Sequence, residues 1–417
     1  MHVVGLITEY NPFHNGHLHH LRESLRVAEA DASVAVMSGH FLQRGEPALL
    51  DKWLRTEMAL AAGIDLVLEL PCAFACSSAP HFARGAVQSL NALGVVDSLC
   101  FGSEAGEIAP LQSAARLLLE REPDIDEGTR QLLRQGVSYP LAREGVLAAL
   151  APDLSADMLS SPNNILGMEY LKALRQTSSS IRALTIQRLG AGYHSTDVTN
   201  PIASATGIRQ RLAEGGSVEG LMPEACRAIL DKALSKGCFL DQDRLFSALQ
   251  VLLLQEEETL SGIYQVDDGL AQRLVDAAMA ATSYAELSHR IKSRQWTLTR
   301  VQRILSYVLL QLARDEMSRF LGSGPLYLRL LGASENGRRV LAASRTKRSL
   351  PLISDPARAQ AILRRFYAGQ KEFEWLAERM LACDLRATRI YGLLQKTPVK
   401  GHRNQDFFRD CLGAGKD

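Results

Sequence analysis

The sequence predicts an α/β protein in which a parallel sheet, covered by helices on both faces, is followed by a second, α-helical domain. Three observations carry that reading. Short β-branched or apolar runs recur at 3–7, 33–38, 65–70, 95–101 and 181–187 with helical patterns between them; such alternation builds parallel sheets, because each crossover has to pass over a face. Beyond about residue 216 strand signals thin out and amphipathic patterns take over. The 417 residues also exceed one ordinary core, and 46% hydrophobic with 22% charged is the mix of a water-soluble globular chain.

Taken in order, the run at 3–7 ends in Thr8-Glu9, too short for a signal peptide or for the roughly 20 apolar residues of a membrane span. A cytoplasmic protein without membrane contact is expected. The stretch 108–174 is helical in pattern, with Leu111, Ala114, Ala115 and Leu118 on one face, and reads as an insertion before the strand at 181–187. The turn signal at 214–217 divides the chain into 1–215 and 216–417. In the second part Val301, Ile304, Leu305, Val308, Leu309 and Leu312 share a helix face. The seven cysteines are odd in number and scattered among apolar or small residues, which fits free thiols in a reducing compartment better than a disulfide framework.

Net charge is only +1, but its distribution is uneven. Residues 1–130 hold 9 Lys and Arg against 17 Asp and Glu, whereas residues 290–348 hold 13 against 3. Lys292, Arg294, Arg300 and Arg303 with Trp296 among them, and later Arg338, Arg339, Arg345, Lys347 and Arg348, form a basic segment suited to phosphates on folded RNA. The competing reading is a solvated helix face, which explains the scarcity of acids poorly.

The stretch "ITEYNPFHNGHLHH" (7–20) holds four histidines directly behind the first strand signal. In a parallel sheet ligands bind beyond the strand carboxyl ends, where the first βα turn meets a helix N-terminus. Pro12 favours a turn, Gly16 permits close backbone approach, and a helix starting near His17 offers unpaired N–H groups to an anion. Imidazole donors at His14 and His17 add to the same pocket, and the sum favours a polyphosphate. A metal reading would use His14, His17 and His20, but no carboxylate or cysteine set accompanies them, so no protein metal site is expected. His19 and His20 either join the pocket or merely pack or face solvent. His40, Gln43 and Arg44 follow the second strand and border the same crevice, unless Gly39, Gly45 and Pro47 simply shape a turn.

Tyr10-Asn11-Pro12-Phe13-His14-Asn15-Gly16-His17 resembles the HxGH turn of the nucleotidyltransferases related to class I aminoacyl-tRNA synthetases, with Asn11 where Asp is usual. Ser204-Ala205-Thr206-Gly207-Ile208-Arg209 is similar to their SSTxIR-type phosphate motif. Further stretches narrow the resemblance: "MSGHFLQRGEPALLDKW" (37–53), "DLVLELP" (65–71), "FGSE" (101–104), "SPNNILGMEY" (161–170), "RLGAGYH" (188–194) and "IASATGIR" (202–209), then more thinly "YLRLLGASENGRRVL" (327–341) and "DLRATRIY" (384–391). Together they look like the tRNA(Met) cytidine acetate ligase family.

That resemblance implies a Rossmann-like parallel-sheet nucleotidyltransferase domain of the HUP class over 1–215 and a helical tRNA-binding part over 216–417. It implies activation of acetate by ATP to acetyl-adenylate and pyrophosphate, then acetyl transfer to N4 of the wobble cytidine of elongator tRNA(Met). ATP would be a substrate, with Mg²⁺ accompanying it; no protein partner is implied. By similarity the ATP contacts run through Ile7, Thr8, Glu9, Tyr10, Asn11, Pro12, Phe13, His14, Asn15, Gly16, His17, Leu18, His19 and His20. They continue at Gly102, at Asn163 or Asn164, and at Arg188. Ser204, Thr206 and Arg209 would grip the outer phosphates and His14 and His17 the reacting end; Lys292, Arg294, Arg300, Arg303, Arg338 and Arg339 would meet tRNA. Two other readings use the same residues: a cofactor nucleotidyltransferase moving AMP to a small phosphorylated acceptor, and a non-catalytic nucleotide- or RNA-binding protein.

Overall fold

The computed structural model describes residues 1–137, 139–150, 158–159, 161–188, 203–254, 257–409 and 411–413. Seven strands form one sheet: β1 (Val3–Thr8), β2 (Ala32–Ser38), β3 (Leu66–Leu70), β4 (Ser98–Ser103), β5 (Arg182–Gln187), β6 (Leu328–Ala333) and β7 (Leu352–Ile353), in spatial order β5-β4-β1-β2-β3-β6-β7. The first five strands run parallel, β6 pairs antiparallel with β3, and β7 lies parallel to β6. All five expected strands of the first half are present. The helices Ile108–Glu120, Glu122–Arg134, Tyr139–Leu150 and Pro162–Gln176 fill the interval before β5.

β1 and β2 read as apolar runs because both faces of the sheet are covered. Val3, Val34 and Val36 enter one core; Val4, Leu6, Ala35 and Met37 enter the other. From β1 the chain passes to β2 on one side and later returns to β4 on the other. The carboxyl ends of β1 and β4 are therefore a switch point, where a parallel sheet opens a crevice.

The expected loss of strands after residue 216 is corrected at β6 and β7, which lie in the second half yet extend the first half's sheet. Every residue of β6 is buried, so it shows no alternation, and its leucines with Arg329 in second place read as helix. Arg329 is tolerated there because it donates to the Ile353 carbonyl and pairs with Asp406 at 3.3 Å. Helices dominate the remainder; Leu298–Leu309 buries Val301, Ile304, Leu305, Val308 and Leu309.

A closed charge cluster ties the two halves together. Lys52, the first residue of helix α2 (Lys52–Ala61), contacts Glu69 of β3 and Asp406 near the C-terminus, each at 2.8 Å. Thr388 of helix Lys371–Leu394 donates to Asp406, and Asp384 of that helix accepts from the backbone N–H of Cys72 at 2.7 Å and from the Tyr327 hydroxyl. The stretches at 37–53, 65–71, 327–341 and 384–391 thus converge on one buried network. All seven cysteines are buried, with no disulfide among the described residues. No helix among the described residues is long and apolar enough to cross a membrane.

Candidate active site

The turn after β1 is built by two histidines that cap helix α1 (Asn15–Ala28). His14 is the N-cap, and its Nδ1 accepts from the Gly16 backbone N–H at 3.0 Å. His17 reaches back, its Nδ1 accepting from the His14 backbone N–H at 3.2 Å. This is a capping box made of imidazoles. It fixes both tautomers: with Nδ1 accepting, the neutral ring carries its proton on Nε2. The rings lie against each other with centroids 3.7 Å apart.

Both imidazoles stay neutral. Burial, with Arg188 and Arg209 nearby, holds His14 down to about 3. Burial, followed by His14, His20 and Arg188, keeps His17 well below the ordinary imidazole value. Burial and Arg188 lower His20 to about 4, and its Nε2 has no partner among the described residues.

A cavity of about 240 Å³ opens over the carboxyl ends of the strands. Of the expected site, Ile7, Thr8, Glu9, Tyr10, Asn11, His14, Gly16, His17, His19, His20, Gly102, Asn163, Arg188, Ser204, Thr206 and Arg209 line it. Two helix N-termini converge there, α1 and Ala205–Ala213, the latter capped by Ser204 Oγ accepting from Gly207 N–H at 3.0 Å. Their N-terminal dipole ends and the histidine N–H groups make an anion site. Arg209 donates to the Asn11 carbonyl at 2.9 Å and stands 3.8 Å from Glu46. Gly102 leaves room for Arg188; a Cβ there would come within 3.1 Å of Arg188 Cγ.

Pro12, Phe13, Asn15, Leu18 and Asn164 do not line the cavity. Phe13 is buried against Tyr10, with ring centroids 4.7 Å apart, and Leu18 packs on the same core. Asn15 turns away and donates to the Gly220 carbonyl at 2.7 Å. The choice between the two asparagines is geometric. Asn164 Oδ1 accepts from the backbone N–H groups of Glu104 and Ala105 at 3.0 and 3.1 Å, bracing that loop, whereas Asn163 lines the cavity and donates to Glu104 at 2.6 Å. Residues 189–194 and Ile202, within two of the motif stretches, lie outside the described residues.

Gln43 and Arg44 line the opposite wall, while His40 is buried beneath it, 4.7 Å from the Tyr391 ring. Glu46, Phe82, Phe101 and Tyr170 were not foreseen as lining residues. Apolar walls carry the same periodicity as core positions, so sequence does not separate them. The basic segment is split. Arg303 donates to the Gln43 carbonyl at 3.4 Å beside the cavity, and Lys292 and Arg294 are exposed. Arg338 and Arg339 lie on a helix, Glu335–Ser344, whose preceding Ser334 donates its backbone N–H to Asp65 at the opposite end of the strands. Trp296 is buried with Arg273 over its ring, so its expected place among RNA-facing side chains is corrected.

Histidine donors and paired helix N-termini at the switch point of a parallel sheet define an HxGH-type nucleotide site. A model of the HIGH Nucleotidyl Transferase family matches residues 1–406. The tRNA(Met) cytidine acetate ligase of Syntrophotalea carbinolica is 52% identical, covering 99% of both chains, and that of Alkaliphilus metalliredigens is 38% identical over 97% of both. The solved structure of Thermotoga maritima TmcAL bound with alpha-thio ATP aligns with TM-score 0.89 and 32% identity, covering 99% of each chain. The chain belongs to the HIGH nucleotidyl transferase family and, within it, to the tRNA(Met) cytidine acetate ligases.

Proposed function

We propose that this chain uses ATP to activate acetate and then acetylates N4 of the wobble cytidine in elongator tRNA(Met). The observation that carries the reading is the capping box of His14 and His17, which leaves two neutral Nε2–H donors beside two convergent helix N-termini. Attack of an acetate oxygen on the α-phosphorus asks mainly for alignment and for donors where charge gathers on the leaving pyrophosphate. In this reading the imidazoles serve the reacting phosphate, Ser204, Thr206 and Arg209 hold the outer phosphates, Arg188 pairs with phosphate, and Gly102 and Asn163 hold the nucleoside. Arg209 would exchange its Asn11 carbonyl for phosphate oxygens.

Mg²⁺ is assigned to the triphosphate. The described residues hold no group of three side chains suited to a metal, so the cation would sit on phosphate oxygens and water. Lys292, Arg294, Arg300 and Arg303 are assigned to the anticodon arm, because Arg303 borders the cavity wall. Arg338 and Arg339 stand a strand length away, on the order of 20 Å, and are left out of that contact. The reduced thiols fit a cytoplasmic setting.

Incubation with ATP, acetate and unmodified tRNA(Met) is expected to yield acetylcytidine by mass spectrometry. Absence of that product, with adenylylation of a small phosphorylated acceptor instead, would establish the cofactor nucleotidyltransferase reading.

A further inference from the structure

We infer that Glu9 is the general base of the acetyl-transfer step, an assignment that rests on the ligase reading above. In that step the cytidine N4–C bond forms and the bond from the acetyl carbon to the adenylate oxygen breaks. AMP leaves with the electron pair as a stable phosphate anion and needs no proton. The nitrogen, by contrast, must shed one, and something in the cavity has to accept it.

His14 and His17 cannot, because each Nδ1 lone pair already accepts a backbone N–H and each Nε2 bears hydrogen. Among the described residues the carboxylates that line the cavity are Glu9 and Glu46, and Glu46 faces Arg209 at 3.8 Å. Glu9 forms no ion pair among the described residues. Its Oε1 accepts from the Gln43 backbone N–H at 2.7 Å and from Ser38 Oγ at 3.5 Å, which fixes the carboxyl plane and leaves Oε2 without a donor among the described residues. It stands at the exit of β1 on the β2 side, away from the β4 and β5 ends that bear Gly102 and Arg188. That is the acceptor side of the cavity, beside the loop that meets Arg303.

A carboxylate next to a triphosphate weakens nucleotide binding, so its place there calls for chemistry. Burial raises its proton affinity above the ordinary carboxylate range, against the lowering effect of the Gln43 N–H; Arg55 of α2 and Arg44 and Glu46 of the loop are the charges that face it.

The test separates the two half-reactions in full-length protein. In Glu9→Gln, single-turnover transfer from enzyme-bound acetyl-adenylate to tRNA(Met) is expected to fall about 10²-fold further than acetate-dependent ATP–pyrophosphate exchange. Glu9→Asp should recover part of that deficit. The wild-type transfer rate should rise with pH through one ionisation that Glu9→Gln lacks. Equal losses in both half-reactions, or an unchanged pH profile, would overturn the assignment. Wild-type protein that gives no acetate-dependent exchange at all would instead overturn the ligase reading on which it stands.

Discussion

Lys52 and the His14–His17 pair stand at the same end of the sheet, and they differ in what is left of their hydrogen-bonding capacity. Lys52 is fully buried with Glu69 and Asp406 around its ammonium, and Asp406 in turn takes Thr388 and Arg329. The two imidazoles spend their acceptors on the backbone and keep their donors for the cavity. Charge that is closed on itself holds elements together; donors that are left over need a ligand to satisfy them. The first cluster is therefore assigned to stability and the second, under the proposed function, to catalysis.

The largest effect expected from that contrast follows Lys52→Met, which leaves Glu69 and Asp406 buried without their cation. A loss of about 3–5 kcal/mol is expected in urea unfolding, with the nucleotide site disturbed only through the fold. Next comes His17→Ala. Acetate-dependent pyrophosphate exchange should drop about 10²–10³-fold through loss of a preorganised donor, while stability falls by only about 1 kcal/mol for the lost half of the cap. A ratio reversed between these two variants would mean that the clusters have exchanged roles.

A smaller effect tests the seam between them. Gly45 has φ 83°, and a Cβ there would overlap the backbone of Arg303. Gly45→Ala should cost about 1–3 kcal/mol, read as a lowered unfolding midpoint. The smallest expected effect is a null result in spectroscopy. Long-range ¹H–¹⁵N spectra should show His14 and His17 neutral, with Nε2 protonated, from about pH 5 to 8. The sign for stability follows: His14 has its folded value near 3 against an ordinary 6.5, so the unfolded chain binds protons that the fold refuses. Stability attributable to it is intact above about 6.5 and declines as pH falls from there.

The parallel sheet and the capped turn were legible because they depend on local pattern: apolar runs of strand length, then Pro, Gly and His at a helix start. Five strands and the histidine turn follow from that pattern; most of the remaining cavity lining comes only from what the family resemblance implies. β6 was not legible, since its leucines and its buried, paired arginine replace the β-branched apolar run that marks β2. The Lys52 network was equally hidden, because Lys52 meets Glu69 from 17 residues away and Asp406 from the far end of the sequence. Asn163 and Asn164 are chemically identical, so only their helix geometry tells which faces the cavity. The basic segment reads as one surface in sequence; folding sends its two parts to opposite ends of the strands.

At Gly45 the main chain of the 41–47 loop rests directly on helix Leu298–Leu309, and Ser306 donates to the Gly45 carbonyl at 2.8 Å. Two backbones touching without an intervening side chain form a stiff joint. Under the proposed function, a shift of that helix on RNA docking would reach the Gln43 amide and so the carboxylate it steadies, coupling arrival of the acceptor to the chemistry.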